Sequence, residues 1–155
     1  MNGDTNMAAK AQEESLVKLL AERWEQISRK LAELAQEVPA ENFESSPVAG
    51  ARTVGQVLRH VAFWNQYVAD SLRGKSADGT ANELPLAEYP KRAKILEVLR
   101  RSAEDVAQAL RSSQSASNLK TAELVAPFIE HTAEHYGQLV VYCRLMGIVP
   151  PASRA

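Results

Sequence analysis

Apolar residues recur at steps of three and four along most of this chain, and this spacing limits what it can fold into. Such a period places apolar side chains on one face of an α-helix. No segment alternates between apolar and polar residues for long enough to predict a β-sheet. With 155 residues, the chain can bury a substantial core within one domain. The pattern therefore predicts an all-helical domain.

The first two predicted helices have clear ends. The first stripe covers residues 16–38 and stops before Pro39, because proline cannot continue a helix. The second begins after Thr53, which is spaced from Gln56 as in a capping box, where each side chain bonds the other residue's backbone N–H. It ends before Gly74, since glycine suits a left-handed helix cap.

The third and fourth helices are bounded less sharply. The third is predicted to open with Pro90, at a first-turn position where the missing N–H costs little. Its apolar stripe consists of Leu96, Leu99, Ala103, Val106 and Leu110. A serine-rich link over residues 112–118 follows. The fourth helix is predicted to begin between Thr121 and Pro127, and to stop at Gly147 before two prolines.

Four long helices with shorter connections predict an all-α fold, a four-helix bundle. Residues 1–12 are small, polar and aperiodic, so we expect a disordered N-terminal tail there. Residues 13–155 are expected to form the single bundle domain.

The charge balance excludes one class of function. Eighteen basic residues against nineteen acidic ones leave a net charge of −1, without the basic surface that nucleic-acid binding requires. One cysteine cannot form an internal disulfide and is typical of a reducing compartment. No apolar segment has the length of a signal peptide or membrane span. A cytoplasmic protein that binds neither nucleic acid nor membrane is expected.

Two of the three histidines, His131 and His135, lie four residues apart on the predicted fourth helix. Residues at that spacing share a helix face, with Cβ atoms about 5–6 Å apart, so both rings can approach one cation. The third, His60, lies midway along the second helix, beside its apolar stripe. Three histidines with an open fourth position form a ligand set of catalytic divalent metals, usually zinc. A packed core histidine with one hydrogen bond is the alternative interpretation.

Other side chains near these histidines are candidates for orienting a ligand or contacting a substrate. They are Glu134, Gln138, Tyr142, Trp64 and Tyr67. Gln138 and Tyr142 follow the histidine stripe by further steps of three and four, but simple hydrogen bonding within the bundle would give the same pattern. We interpret Trp24 and Trp64 chiefly as core residues, and Cys143 as a small buried hydrophobe rather than a nucleophile.

The segment "HTAEH" also fits the inverted zinc-protease pattern, in which the glutamate acts as a general base. That class takes its third metal ligand from a carboxylate well downstream. No Asp or Glu follows Glu134 in this chain, so the protease interpretation fails.

The combination of "RTVGQVLRHVAFWNQYV" with "HTAEHYGQLVVY" resembles the DinB/YfiT superfamily. The resemblance runs from about residue 14 to the end of the chain. It implies a four-helix bundle that binds a divalent metal, often zinc or nickel, through His60, His131 and His135. It also implies a homodimer. Characterised relatives include transferases and isomerases that use a low-molecular-weight thiol such as bacillithiol or mycothiol, and many others have no known activity.

One departure from the family limits what carries over. Many members have arginine after the second histidine of the fourth helix, where this chain has Tyr136. A contact with an anion or a thiol through that arginine is therefore not expected here. The metal set should survive, because position 136 lies about a hundred degrees away from the ligand stripe.

The leading functional hypothesis is a metal-dependent enzyme acting on a small-molecule substrate, with transfer of a thiol by a metal-activated thiol, or hydrolysis by activated water, as its reaction. A non-catalytic metal- or ligand-binding bundle is the alternative. A helical interaction domain without metal is a third possibility.

Overall fold

The computed structural model of the protein describes residues 2–112 and 118–154, with side chains from residue 16 onward. Four long helices dominate it: α1 (Asn2–Glu37), α2 (Val54–Leu72), α3 (Arg92–Ser112) and α4 (Asn118–Leu145). Short 3₁₀ helices cover Ala40–Asn42 and Pro151–Ser153. The described residues include no strand, and the predicted all-α four-helix bundle is confirmed.

The helices pack in an order that differs from their order in the chain. Both α1 and α2 pack against α3 and against α4. Around the bundle the order is therefore α1, α3, α2, α4, which places α1 diagonally opposite α2. As a result, the histidine-bearing helices α2 and α4 are neighbours on one side, and α1 and α3 are neighbours on the other.

The predicted ends of α2 are confirmed in atomic detail. The Thr53 hydroxyl accepts from the Gln56 backbone N–H at 3.1 Å, and the Gln56 side chain accepts from the Thr53 N–H at 2.8 Å. Gly74 and Gly147 have positive φ angles of 72° and 76° after α2 and α4. Glycine adopts this conformation without a steric penalty.

The boundaries of the other helices differ from the prediction. Helix α3 begins at Arg92, two residues after Pro90, and Ile95, outside its predicted stripe, is fully buried. Its buried face is wider than one stripe because α3 packs against both α1 and α2. Helix α4 begins at Asn118, earlier than predicted, and continues through Pro127, which is exposed.

Two further predictions concern the N-terminal residues and the link between α3 and α4. Residues 2–12 have a helical backbone continuous with α1, whereas the sequence predicts a disordered tail. The division into a tail and one domain stays a prediction. The serine-rich link falls mainly on residues 113–117, outside the described residues.

The buried core has two parts along the bundle. The larger part includes Leu34, Leu58, Ile95 and Leu139, and the smaller one surrounds Trp24. The Trp24 side chain is 1% exposed, and its indole N–H donates to the Ala103 carbonyl at 3.1 Å. In the described part of the chain, no helix combines the length and apolar character needed to cross a membrane.

Candidate metal site

Neighbouring helices bring the three predicted histidines together. His60 extends from α2 and is 6% exposed, whereas His131 and His135 lie one turn apart on α4 and are half-buried. The His131 Nε2 atom is 2.9 Å from His60 Nε2 and 3.2 Å from His135 Nε2. One ligand atom from each residue lies within 4.8 Å of the others.

These separations suit ligands of one ion. Two imidazole nitrogens bound to tetrahedral zinc lie about 3.3 Å apart, because each Zn–N bond is about 2.0–2.1 Å. The two shorter Nε2 separations, 2.9 and 3.2 Å, are close to that value.

A backbone carbonyl determines which nitrogen of His60 carries its proton. The Nδ1 atom of His60 lies 2.5 Å from the carbonyl oxygen of Asn82. A carbonyl can only accept a hydrogen bond, so Nδ1 must be the protonated nitrogen. The Nε2 atom of a neutral His60 ring therefore presents a lone pair toward the other two histidines.

A longer chain of hydrogen bonds determines the proton position of His135 in the same way. The Tyr142 hydroxyl donates to the Arg52 carbonyl at 2.9 Å and accepts from Gln138 Nε2 at 2.9 Å. This orients the Gln138 amide so that its oxygen, 2.9 Å from His135 Nδ1, accepts from that ring. Because the last acceptor is a backbone carbonyl, every donor in the chain is determined.

As a consequence, the three Nε2 atoms have too few protons to form a hydrogen bond at each of their short contacts. Both His60 Nε2 and His135 Nε2 are acceptors, and His131 Nε2 can donate to at most one of them. Without a cation, at least one of these short contacts brings a nitrogen lone pair against a neighbouring nitrogen with no hydrogen bond between them, which is repulsive. A divalent ion removes that repulsion, so the donor chemistry fits a metal.

The surroundings keep the rings uncharged near neutral pH. Burial is the main cause that lowers the pKa of all three histidines, and for His131 it falls from 6.5 to about 4. The positive charge of Arg52 lowers each pKa further. Neutral imidazole is the form that binds metals.

The loop that supplies the Asn82 carbonyl is fastened to α2 by polar contacts. Glu83 accepts from the buried Arg59 guanidinium at 3.1 Å, and the Leu84 N–H donates to the Arg59 carbonyl at 3.4 Å. The Asn82 side chain accepts from the Trp64 indole N–H at 3.0 Å. Asn82 itself has a positive φ of 59°, a conformation that asparagine tolerates better than most residues.

The same loop passes close to the Trp64 ring. A Cβ atom added to Gly79 would lie 2.9 Å from Trp64 Cη2, so only glycine fits there without a shift of the indole.

An aromatic wall stands on one side of the histidines, formed by Trp64, Tyr67 and Phe128. The Trp64 ring centroid is 5.4 Å from that of Phe128 and 5.1 Å from that of Tyr67. The Phe128 centroid is in turn 6.1 Å from that of His131. Trp64 and Tyr67 are half-buried, so this wall is accessible to a bound molecule.

The remaining candidates lie in different surroundings. Glu134 is exposed and makes no side-chain hydrogen bond or ion pair with the described residues, although its charge raises the His135 pKa. Cys143 is fully buried, and burial raises its thiol pKa. That environment suits the predicted role as a small hydrophobe.

Sequence reasoning missed three contributors to the site: Arg52, Asn82 and Phe128. Phe128 precedes His131 by three residues, so its helical spacing was a usable signal. Asn82 contacts His60 through its backbone carbonyl oxygen, and Arg52 contacts Tyr142 through its own. No pattern of residue types indicates a contact made by the backbone.

The fold and site together define a four-helix bundle with a histidine triad suited to a divalent cation. A family model described as the DinB superfamily matches residues 23–142. The chain therefore belongs to the DinB superfamily. A search among curated proteins found none that matches this chain.

The lowered histidine pKa values predict a specific pH dependence of stability for the metal-free protein. His131 titrates at 6.5 when unfolded and at about 4 in the fold. Between these values the unfolded chain binds more protons, so stability is complete above pH 6.5 and falls as the pH drops toward 4. Thermal unfolding with a chelator should show this decline, and His131→Gln should make it shallower. Equal slopes for the two proteins would contradict it.

Proposed function

We propose that this DinB-superfamily protein binds a divalent metal ion through His60, His131 and His135, and is a metal-dependent enzyme acting on a small molecule. Its proposed reaction class is the transfer of a thiol to an electrophile. The observation that carries the proposal is the convergence of three imidazoles, of which two, His60 and His135, have their outer nitrogens committed as donors. Such outer hydrogen bonds are typical of metal-binding histidines.

Imidazole ligands suit zinc and nickel alike, so either ion is compatible with the proposal. Three protein ligands leave further coordination positions for a thiol, a substrate or water. When bound, such an ion supplies Lewis acidity, which lowers the pKa of a coordinated thiol or water molecule.

The protein's own residues are proposed to orient and shield the reactants. Gln138 and Tyr142 hold the His135 ring in position through their hydrogen-bond chain. The aromatic wall of Trp64, Tyr67 and Phe128 offers an apolar surface for a substrate body and excludes water on that side. Glu134 is a further candidate for proton transfer, since it lies next to His135 on exposed surface.

A homodimer in the cytoplasm is part of the same proposal. Large apolar side chains remain exposed toward the C-terminal end of α4, including Val141 at 52% and Leu145 at 60%. A second copy could cover them, because exposed apolar groups clustered on one face often mark an association surface.

Replacement of a ligand should abolish metal binding. We expect untagged His135→Ala to lose stoichiometric zinc or nickel in elemental mass spectrometry, and to lose stabilisation by the added ion. For the native protein, an ion at a hundredfold over its dissociation constant should add about 2.7 kcal/mol to the free energy of unfolding. Stoichiometric metal in the variant would refute the ligand assignment.

The hydrogen-bond chain behind His135 predicts a graded effect on metal affinity. Gln138→Leu removes the acceptor of the ring N–H, so metal affinity should fall by about 10- to 100-fold. Tyr142→Phe keeps the aromatic ring and removes only the group that orients Gln138, so its loss should be smaller. Competition titration with a chromogenic chelator measures both. Native affinity in Gln138→Leu would mean that the chain does not support the site.

The reaction class is tested with a panel of low-molecular-weight thiols and a generic electrophile, using metal-loaded and metal-free protein in parallel. We expect thiol consumption only with the metal-loaded protein. Buffer that contains the metal ion but no protein should consume none. A loaded site with no turnover of any thiol would favour the non-catalytic metal-binding alternative.

A further inference from the structure

A second concave site lies on the opposite side of the bundle from the histidines. It opens between α1 and α3 and has a volume of about 350 Å³, and we name it the α1–α3 cavity. Its inner end is formed by Val61 and Asn65 of α2 and Thr132 of α4. None of the three histidines lines it. The volume lies near the lower limit for small-molecule sites.

The inner end of the cavity carries the side-chain amide of Asn65. Asn65 is 3% exposed, and its Nδ2 donates to Ser102 Oγ at 3.1 Å. The Ser102 hydroxyl donates onward to the Leu99 carbonyl at 3.1 Å, so the amide orientation is determined. Among the described residues, no donor reaches Asn65 Oδ1.

Thr132 adds a second acceptor at the same end. Thr132 is 2% exposed, and its hydroxyl donates to the Phe128 carbonyl at 2.9 Å. With its proton committed, the oxygen retains lone pairs only. The inner end therefore offers acceptors and no free donor, and it is complementary to an O–H or N–H group.

The walls between this inner end and the opening are apolar. The Trp24 ring lines the cavity, and its N–H is already bonded to the Ala103 carbonyl. Leu31 and Leu99 add aliphatic surface. The volume exists because several wall positions hold only a methyl group: Ala32, Ala103 and Ala107.

The rim is charged but balanced. Its three arginines each pair with a glutamate of the rim: Arg111 with Glu25, Arg29 with Glu33, and Arg100 with Glu104. No net charge remains to attract an ion. A rim of this kind also differs from the centre of a protein interface, where charged residues are depleted.

We propose that the α1–α3 cavity binds a neutral small molecule with an apolar body and an O–H or N–H donor at its inner end. The donor bonds the Asn65 oxygen while the body occupies the space beside Ala32 and Ala103. The proposal does not rest on metal binding, since none of the three histidines lines the cavity.

Indole and 1-methylindole form a probe pair in which the N–H donor of the first is replaced by an N–CH₃ group in the second. Two-dimensional NMR titration of the full chain would follow the Trp24 indole cross-peak. We expect saturable binding of both, with indole about fivefold tighter, the ratio that one ordinary net hydrogen bond provides. In Asn65→Leu that preference should disappear.

Ala103→Leu is the second variant, and it fills the cavity without touching the acceptors. It should abolish binding of both probes and raise the melting temperature, because it fills empty volume. Equal affinities for the two probes in the native protein would overturn the assigned donor. The absence of saturable binding, or unchanged affinity in Ala103→Leu, would overturn the cavity itself. If the Trp24 indole cross-peak shifts on dilution of the protein without probe, the cavity would instead be assigned to contact with a second copy of the chain.

Discussion

One buried guanidinium holds both long loops of this protein against α2. Arg59 is 1% exposed and bonds Glu44 at 2.7 Å from the loop before α2, and Glu83 at 3.1 Å from the loop after it. The guanidinium is removed from water, so loss of both carboxylates would leave a buried charge without a partner. Glycine at position 55 is part of this arrangement, since a Cβ there would lie 2.4 Å from the Glu44 carboxylate. The histidine site depends on these contacts, because Asn82 directly precedes Glu83.

Two backbone carbonyls then transmit the fold to the chemistry of the imidazoles. The Asn82 and Arg52 oxygens can only accept, and each stands at the end of a hydrogen-bond path that leads from a ring nitrogen. Loop and helix positions thereby decide which nitrogen faces the centre of the triad. Burial keeps the rings neutral, so three nitrogens able to act as ligands lie within 4.8 Å of one another. Such preorganisation reduces what must be ordered when a ligand binds.

Membership in the DinB superfamily accounts for the helical bundle, and the resemblance seen in the sequence predicts an arginine at position 136. Tyr136 replaces the arginine expected there, and it packs against the larger core cluster. The positive charge beside the histidines comes instead from Arg52, just before α2, and it lowers all three histidine pKa values. The α1–α3 cavity lies on the far side of the same two helices, so the two sites can be altered separately.

The sequence by itself determined the helices and the histidine set, because helical period, caps and the four-residue spacing are local properties of the chain. Thr53 with Gln56 and the cap at Gly74 were predicted correctly for that reason, as was the shared face of His131 and His135. The start of α3 and its buried Ile95 were not, since they depend on which helices surround it. Only the tertiary structure decided that α2 lies beside α4, which brings His60 within 2.9 Å of His131. It also decided the roles of Asn82 and Arg52, because every residue carries a backbone carbonyl and only packing selects which one meets a histidine.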